Sequence, residues 1–221
     1  MHIKKNDYIC KPYGRFIIMN DSKEHIISIA CKLFLQKSFK EVTMREIVVE
    51  TGLSKGAFYH YFNSKEELFM EVLGYFYSNI FAHPYEKYSK DSFYNFYHDY
   101  ANNIVAVSKI FLEKFKENGS DNELSMNYFS LAFDAVKLMP EFRKQMIIEH
   151  EKELKIWTDV IKNARKKGEI KTNMTDEELA NTFIYLSDGF AINMVMKGSY
   201  FDKLLIPIVT LWDKIYEQIK A

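Results

Sequence analysis

The stretch TGLSKGAFYHYFNSKEEL, residues 51–68, contains the ends of three predicted helices. Gly52 follows an apolar helical segment, at a place where a helix end favours a residue that can adopt positive φ. Ser54 is a predicted N-cap, and Phe58 and Phe62 share the inward face of the helix that it starts. Because the connection between the two helices is short and contains glycine, we predict a helix-turn-helix.

Four tetrads along the chain have the pattern of a capping box, in which an N-cap side chain precedes Glu by three residues. The cap oxygen and the Glu carboxylate of such a box each accept a hydrogen bond from a backbone N–H at the start of the helix. The tetrads start at Asp21, Thr43, Ser64 and Thr175. Apolar residues at helical spacing follow each tetrad, which predicts that a helix begins at each of them.

The helical pattern continues through the whole chain. The predicted helices span residues 22–37, 44–51, 55–61, from 64 onward, 92–116, 123–137, 141–167, 176–196 and 201–219. Prolines and glycines separate several of these segments. No alternation of apolar and polar residues is long enough to build a sheet, so the predicted fold class is all-α.

The charge balance excludes one class of nucleic-acid-binding protein. The chain has 221 residues, with 30 Lys and Arg against 30 Asp and Glu. A neutral chain does not coat nucleic acid through bulk charge, although a small DNA-binding domain within an otherwise neutral protein remains possible. Two cysteines, Cys10 and Cys31, are too few for a disulfide framework and are typical of a reducing cytoplasm. No apolar run approaches the roughly 20 residues of a membrane-spanning helix, so we predict a cytoplasmic protein.

No pattern of catalytic or metal-binding residues is present in the sequence. None of the six histidines has Glu three residues before it, as the Glu-x-x-His pairs of a di-iron bundle require. The chain also lacks His-Glu-x-x-His, Gly-x-Ser-x-Gly and paired cysteines for zinc. We therefore predict that the protein is not an enzyme and needs no metal or cofactor.

The helix after Ser54 is the most informative candidate for a binding surface. If Phe58 and Phe62 face inward, the side chains at 55, 56, 59 and 60 face outward. Lysine there can meet phosphates, while tyrosine and histidine can touch base edges or thymine methyl groups in a major groove. A short surface helix with incidental aromatic residues explains the same composition, and the residues alone leave both interpretations open.

A family resemblance favours the first interpretation. Residues 22–76 resemble the N-terminal helix-turn-helix domain of the TetR (tetracycline-repressor) family of transcriptional regulators. The matching segments are IACKLF at 29–34, VTMREI at 42–47 and the stretch 51–68. This ordered pattern covers about a quarter of the chain. It implies an N-terminal three-helix DNA-binding domain and a larger C-terminal helical domain that binds a small effector and dimerises.

The resemblance also implies which residues meet DNA. The expected contacts are Lys55, Gly56, Tyr59, His60 and Tyr61 on the recognition helix, Thr43 and Arg45 on the preceding helix, and Lys65 on the following one.

The chain departs from the family pattern in two places. Ser38 and Phe39 stand where the family often has glycine, and Ala57 and Phe58 stand where threonine and leucine are common. Ala57 lacks a hydroxyl that could contact DNA and is therefore not a predicted site residue. The larger Phe58 affects only the packing of the core.

The two last predicted helices support dimerisation independently of the resemblance. Their apolar stripes are too wide for one buried face, which indicates a four-helix interface around a two-fold axis. Ordinary core helices remain the alternative. The predicted interface residues are Phe183, Leu186, Phe190, Leu204, Ile208, Leu211, Trp212 and Ile215.

The effector site is less well defined by the sequence. Aromatic residues are no denser in the C-terminal part than in the first 80 residues, so we interpret most rings between 93 and 100 as plain core. Charged residues are spread evenly and give no signature for the ligand. The predicted pocket residues are Tyr97, Phe111, Phe115, Tyr128, Phe129, Phe133 and Trp157.

Together these observations predict an extension at residues 1–20, a DNA-binding domain at 21–66, and an effector-binding and dimerisation domain at 67–221. The basic extension is interpreted as a disordered tail, with an arm that reaches DNA as the alternative. We expect a homodimeric regulator that binds a palindromic double-stranded operator and is released by a small, partly apolar effector. The alternative is a helical small-molecule-binding or interaction protein that does not read DNA.

Overall fold

Every regular element in the described residues is helical. The computed structural model describes residues 21–76, 83–115, 121–197 and 205–221. The helices are α1 (Asp21–Gln36), α2 (Met44–Thr51), α3 (Lys55–Tyr59), α4 (Lys65–Phe76), α5 (Phe93–Phe115), α6 (Asp121–Leu138), α7 (Pro140–Lys166), α8 (Asp176–Met196) and α9 (Leu205–Ile219), with a short 3-10 helix (Tyr85–Lys87) before α5. The all-α prediction is confirmed, and most predicted helix ends agree to within two residues.

The breaks between helices follow the local signals in the sequence. Gly52 ends α2 with φ of 66°, the left-handed conformation that glycine adopts at little cost. A single residue, Met139, separates α6 from α7, and Pro140 is the first residue of α7. Proline is well tolerated there because the first helical N–H has no partner within the helix.

One predicted capping box is complete. The Thr175 hydroxyl oxygen accepts a hydrogen bond from the Glu178 backbone N–H at 3.1 Å. In return, the Glu178 carboxylate accepts one from the Thr175 backbone N–H at 2.8 Å. These bonds lower the pKa of the Glu178 carboxyl group, with the backbone bond as the larger cause.

Two other boxes form only their first half. Thr43 caps α2 by accepting from the Glu46 N–H, but the Glu46 carboxylate pairs with Lys37. Ser64 caps α4 in the same way, whereas the Glu67 carboxylate accepts from the backbone N–H of the residue before the cap. In both cases the Glu carboxylate bonds to a neighbouring donor instead of to the backbone N–H of the cap residue. The side chain of Asp21, the fourth predicted cap, lies outside the described part.

The chain divides into two compact units, which we describe separately. The first contains the described residues of 1–82 together with 126–145, and the second contains those of 83–125 together with 146–221. In the first unit α1 packs against α2 and α4. Four apolar residues of α1 at helical spacing, Ile26, Ala30, Leu33 and Phe34, are buried there. The predicted extension 1–20 lies outside the described residues, and the predicted boundary at residue 66 stays a prediction.

The second unit has a core made largely of aromatic rings. Its α9 packs against α5 and α8. The largest fully buried side chains of this core include Phe93, Phe96, Trp157, Phe183 and Trp212. Their centroids lie 4.9–6.2 Å apart in neighbouring pairs, mostly with tilted or edge-to-face geometry, which favours ring contacts beyond simple area burial.

A carboxylate distant in sequence caps α5. Glu169 accepts hydrogen bonds from the Ser92 hydroxyl at 2.9 Å and from the backbone N–H groups of Phe93 and Tyr94 at 3.0 and 3.1 Å. The Tyr216 hydroxyl of α9 also donates to Glu169, at 3.2 Å. One carboxylate thereby satisfies the open N–H groups of α5 and joins its start to α9.

None of the helices in the described ranges combines the length and apolar character needed to cross a bilayer.

Candidate nucleic-acid interface

The short helix α3 is held by a cap at its start and by two phenylalanines on its inner face. The Ser54 hydroxyl oxygen accepts a hydrogen bond from the Ala57 backbone N–H at 3.2 Å. The side chains of Phe58 and Phe62 are almost completely buried, with ring centroids 6.4 Å apart. This arrangement agrees with the predicted N-cap and inward face, and it fixes which side of α3 is exposed.

The opposite side of α3 carries the predicted DNA contacts. Lys55, Gly56, Tyr59 and His60 are all exposed, and Tyr61 is half-buried. The Tyr59 ring is 44% exposed although it contacts Phe58 edge-to-face at 5.5 Å. The described structure therefore turns a lysine, a tyrosine and a histidine outward on a helix whose orientation is fixed by its buried side.

Gly56 has no structural need to be glycine. A Cβ atom added at this position meets nothing within 4 Å, and the backbone is not in the left-handed region. Glycine disfavours a helix by up to about 1 kcal/mol relative to alanine. The residue therefore contributes a flat, open start to α3, where another molecule can approach the backbone closely.

The preceding helix offers a second exposed edge. Thr43 and Arg45 are both exposed at the start of α2. The Thr43 oxygen caps the helix, so its O–H remains able to donate to a phosphate. Val49, in the last turn of α2, is 69% exposed. We did not predict it as a surface residue, because a run of three apolar residues does not show which of them faces out.

Lys65 lies differently from the expected outward-facing phosphate contact. Its ammonium group donates to the backbone carbonyls of Phe39 and Val42 at 2.8 and 2.9 Å. The same ammonium group lies 4.3 Å from the centroid of the Phe39 ring. Lys65 thus braces the turn between α1 and α2 from the start of α4.

The departure from the family pattern at Phe39 also has a structural explanation. The Phe39 ring is buried, and its centroid lies 4.5 Å from that of Phe69 and 5.8 Å from that of Phe34. An aromatic side chain fills the core at the end of α1, and Lys65 covers its face. The ammonium group of Lys65 and the ring of Phe39 therefore form one local contact.

A further brace was not predicted. His25 Nε2 lies 3.0 Å from the Thr51 backbone oxygen, and the Thr51 hydroxyl donates to the Val48 carbonyl at 2.8 Å. The His25 bond joins the end of α2 to α1, directly before the turn into α3, whereas the Thr51 hydroxyl bond lies within α2. A threonine at the end of an apolar helix gives no sequence signal for this role, because its partner lies 26 residues away.

The predicted effector-pocket residues that the structure describes belong to two different units. Tyr97 and Trp157 are fully buried in the core of the second unit. Phe129 and Phe133 belong to the first unit, and Phe133 is 63% exposed, so it does not line an enclosed pocket there. The side chains of the remaining predicted pocket residues, Phe111, Phe115 and Tyr128, lie outside the described part.

The prediction of the dimer interface needs a correction. Phe183, Ile208 and Trp212 are buried in the core of the second unit, and the Trp212 indole N–H donates to the Phe183 carbonyl at 3.2 Å. A fully buried side chain has no accessible area left to bury against a partner, so these three residues are core. The apolar stripes of α8 and α9 are wide because both helices contribute side chains to the core of the second unit.

The other predicted interface residues retain accessible area. Leu211 is exposed, whereas Leu186, Phe190 and Ile215 are half-buried, and Leu204 lies outside the described residues. Several apolar side chains of α8 that we did not predict are exposed as well, namely Tyr185, Ile192 and Met196.

Among the described side chains, no three His, Cys, Asp or Glu residues come together in a way that could hold a metal ion.

Comparison with known proteins agrees with the geometry of the first unit. Residues 26–72 match the model of the bacterial regulatory proteins of the tetR family. A regulator of Bacillus subtilis, the uncharacterized HTH-type transcriptional regulator YuxN, is 44% identical over 64 residues, which are 29% of this chain and 22% of that protein. The chain thus matches only about a fifth of the length of this relative.

Two further comparisons extend beyond the first unit. The HTH-type transcriptional repressor KstR2 of Mycobacterium tuberculosis is 23% identical over 167 residues, covering 75% of this chain and 77% of that protein. The crystal structure of reduced NemR of E. coli is similar in fold, with a TM-score of 0.56 and 20% identity over 89% of this chain and 98% of that one.

The fold and the comparisons define a helix-turn-helix protein with a larger helical part. The matched residues 26–72 include all of α2 and α3 and most of α1 and α4. Over residues 26–72 the chain is similar to the bacterial regulatory proteins of the tetR family.

Proposed function

We propose that this protein is a DNA-binding transcriptional regulator that recognises its operator with the outward face of α3. The observation that carries the proposal is the exposure of Lys55, Gly56 and Tyr59 on a helix whose other side is fixed by buried phenylalanines. The match of residues 26–72 to the tetR family and the similarity to the regulators named above support it.

The exposed groups suit different parts of a DNA duplex. Lys55 provides a positive charge for phosphate, and Tyr59 and His60 provide planar hydrogen-bonding side chains for base edges in the major groove. Tyr61, which is half-buried, would contact the DNA at the edge of this surface. Thr43 and Arg45 would contact the sugar-phosphate backbone of the DNA from α2. Lys65 supports this surface by holding the turn before α2, and any phosphate contact it makes is secondary.

We further propose that the protein acts as a homodimer on a palindromic site. A five-residue helix buries little surface against DNA, and two copies reading half-sites about one helical turn apart would supply the missing affinity. The exposed apolar side chains of α8 and α9, including Ile192, Met196 and Leu211, suit an interface between two copies.

Release from the operator by a small effector completes the proposal. An effector that binds more tightly to a conformation with wrongly spaced recognition helices weakens DNA binding by its differential affinity. Such coupling amounts typically to about 1–3 kcal/mol. Repression rather than activation is proposed because KstR2, to which the chain is similar, is a transcriptional repressor.

Binding to DNA fragments from both sides of the gene tests the proposal. We expect the Tyr59→Ala variant to lose about 10–100-fold in affinity for the specific fragment. The Lys55→Ala variant should bind all sequences more weakly and show a salt slope smaller by about one per subunit. The matched control is Lys144→Ala, which removes an exposed lysine that pairs with Glu141.

The outcomes separate this function from its alternative. If the parent protein binds none of the fragments, the first unit is a helix-turn-helix that does not read DNA. If Tyr59→Ala and Lys55→Ala bind as Lys144→Ala does, the reading surface lies elsewhere. Both results are independent of any effector.

A further inference from the structure

One side of α8 is neither buried in the second unit nor used by the DNA-binding function. The positions on this side are Thr182, Tyr185, Gly189, Ile192 and Met196, at alternating intervals of three and four residues. Residues at these intervals share one face of a helix. The three large side chains among them are 56%, 42% and 76% exposed, in chain order. We call these five residues the α8 seam.

The spacing of the α8 seam matches the packing of a second helix. A narrow stripe with alternating intervals of three and four residues is the contact surface of two helices that cross at about 20°. An apolar stripe on the outside of a helix that already packs against a core is typical of an interface. A second copy of α8 fits this stripe, because pairing around a two-fold axis needs only one self-complementary surface.

Gly189 lies in the middle of the α8 seam and has no structural need to be glycine within its own subunit. A Cβ atom added at this position meets nothing within 4 Å, and the backbone is not in the left-handed region. Glycine inside a helix is also less favourable than alanine. Because glycine has no side chain, another backbone can approach it closely. Its position therefore favours the close approach of a second helix at the centre of the seam.

A groove lies at the start of α8, next to the first residues of the seam. Its volume is about 560 Å³, and it is lined by Asn173, Met174, Glu178, Asn181, Thr182 and Tyr185. The Tyr185 ring forms one wall and stacks on the His150 ring of α7, with centroids 5.9 Å apart. The thioether of Met174 adds apolar surface to the lining. This groove can therefore receive an apolar side chain from outside the subunit.

The position of Gly189 determines which side chain would enter the groove. Thr182 precedes Gly189 by seven residues, and Met196 follows it by seven. If two antiparallel α8 helices cross with the two-fold axis at Gly189, Met196 of one copy lies opposite Thr182 of the other. Seven helical residues span about 10 Å, over which helices crossing at about 20° move apart sideways by only about 4 Å. Met196 has the largest exposed fraction of the large apolar side chains in the described ranges.

We propose that the two α8 helices of the homodimer cross at Gly189, and that Met196 of each copy fills the groove at the start of α8 in the other. The inference rests on the homodimer of the proposed function and adds its axis and its register. Methionine is suited to this contact because its flexible, apolar side chain adapts to an irregular groove. Each subunit thus completes a site of its partner.

Cysteine cross-linking of the full-length protein without DNA tests this register. The parent for the experiment is the Cys10→Ser variant, in which the remaining cysteine, Cys31, is buried. Gly189→Cys in this parent should form a covalent dimer with oxidised glutathione, because a residue on the two-fold axis meets its own copy. A disulfide needs Cα atoms about 4–7 Å apart. Gel electrophoresis without reducing agent measures the fraction that is cross-linked.

Two further positions provide matched controls. Thr182→Cys and Met196→Cys should not cross-link as single variants, because in this register each residue is about 20 Å from its own copy. The double variant with both substitutions should cross-link. Cross-linking of either single variant, or its absence in the double variant, overturns the register. If Gly189→Cys prevents association, the double variant alone decides the result.

The strength of association tests the contact in the groove. Met196→Ala should weaken dimerisation about tenfold, as measured by sedimentation equilibrium. The control is Val49→Ala, which shortens an exposed apolar side chain of the first unit and should leave association unchanged. Equal association of the two variants overturns the assignment of Met196, and circular dichroism shows whether each variant keeps its helices.

The outcomes also separate this inference from the proposed function. A parent protein that sediments as a monomer contradicts the homodimer and the inference together. A dimer with a different pattern of cross-links contradicts the inference alone. Since no DNA is present, either result leaves the assignment of α3 as the DNA-binding surface to its own experiment.

Discussion

The two units of the molecule bury different kinds of side chains. In the first unit the core is aliphatic and phenylalanine-rich. Thr51 is the one buried polar residue among the described residues of this unit. In the second unit several tyrosines are buried, and their hydroxyls reach carboxylates on other helices, as with Tyr97 and Asp213 at 2.7 Å. An apolar core fixes a shape, whereas a core with polar groups can also recognise a ligand.

The range of the polar contacts differs in the same way. Around α2 and α3 most hydrogen bonds of side chains join residues three or four positions apart, as helix caps do. In the second unit Glu169 reaches the start of α5 across 77 residues, and Glu153 reaches Tyr85 across 68. The side-chain hydrogen bonds around α2 and α3 are therefore mostly local, whereas those of the second unit join residues that are distant in sequence.

The largest effect on stability is expected from a substitution in the core of the first unit. Phe58→Ala should lower the free energy of unfolding by about 3–5 kcal/mol, because it removes a fully buried ring and leaves a cavity. Phe133→Ala is the control, since that ring is mostly exposed and its loss should cost less than about 1 kcal/mol. Urea unfolding followed by circular dichroism measures both. Similar costs for the two variants would mean that α3 is not anchored as described.

The next effect concerns the polar core of the second unit. His83 is neutral when folded because burial lowers its pKa to about 4, whereas in the unfolded chain its pKa is about 6.5. Between these values the unfolded chain binds the extra proton, so stability falls as the pH decreases from 6.5 to 4. This one ring should account for about 3 kcal/mol.

Comparison with His83→Gln separates this histidine from the carboxylates that titrate in the same range. The variant should lose less stability than the parent between pH 6.5 and 4, as measured by urea unfolding at several pH values. Parallel pH profiles for the two proteins would contradict the burial of His83.

A smaller effect distinguishes two lysines of the first unit. Lys65→Met should destabilise the fold by about 2–3 kcal/mol, because the carbonyls of Phe39 and Val42 lose a charged donor. Lys55→Met should leave stability within about 0.5 kcal/mol of the parent, since its side chain is exposed, and should weaken DNA binding. Thermal melting and DNA titration of the same two samples provide the measurements. The opposite pattern would make Lys65 the phosphate contact and Lys55 the structural one.

The sequence predicted the fold and the exposed side of α3 well, for a physical reason. Caps at Thr43, Ser54 and Ser64, the glycine at 52 and the inward pair Phe58 and Phe62 depend on neighbours a few residues away, and short-range patterns record such neighbours. The sequence therefore oriented α3 as the structure does.

The same reasoning failed where the partner is distant. Glu153 lies on a helix rich in Lys and Glu, where it is indistinguishable from a surface residue, and its partners are known only once α5 and α7 are packed. The apolar stripe of α9 likewise predicted an interface for Trp212, because a stripe shows that a face is buried but not whether the subunit or a second copy covers it. Lys65 was likewise predicted to face DNA, because its partners, the carbonyls of Phe39 and Val42, are distant in the sequence.

The smallest change tests the central claim, that the open face of α3 meets DNA. Gly56→Ala should keep the fold and stabilise it by up to about 1 kcal/mol, because a Cβ there meets nothing and alanine favours a helix. If DNA approaches this backbone, the added methyl group separates the two surfaces. Titration of the specific DNA fragment by fluorescence anisotropy should then show at least a tenfold loss of affinity in a protein that melts no lower than the parent. Unchanged affinity in such a protein would contradict the claim.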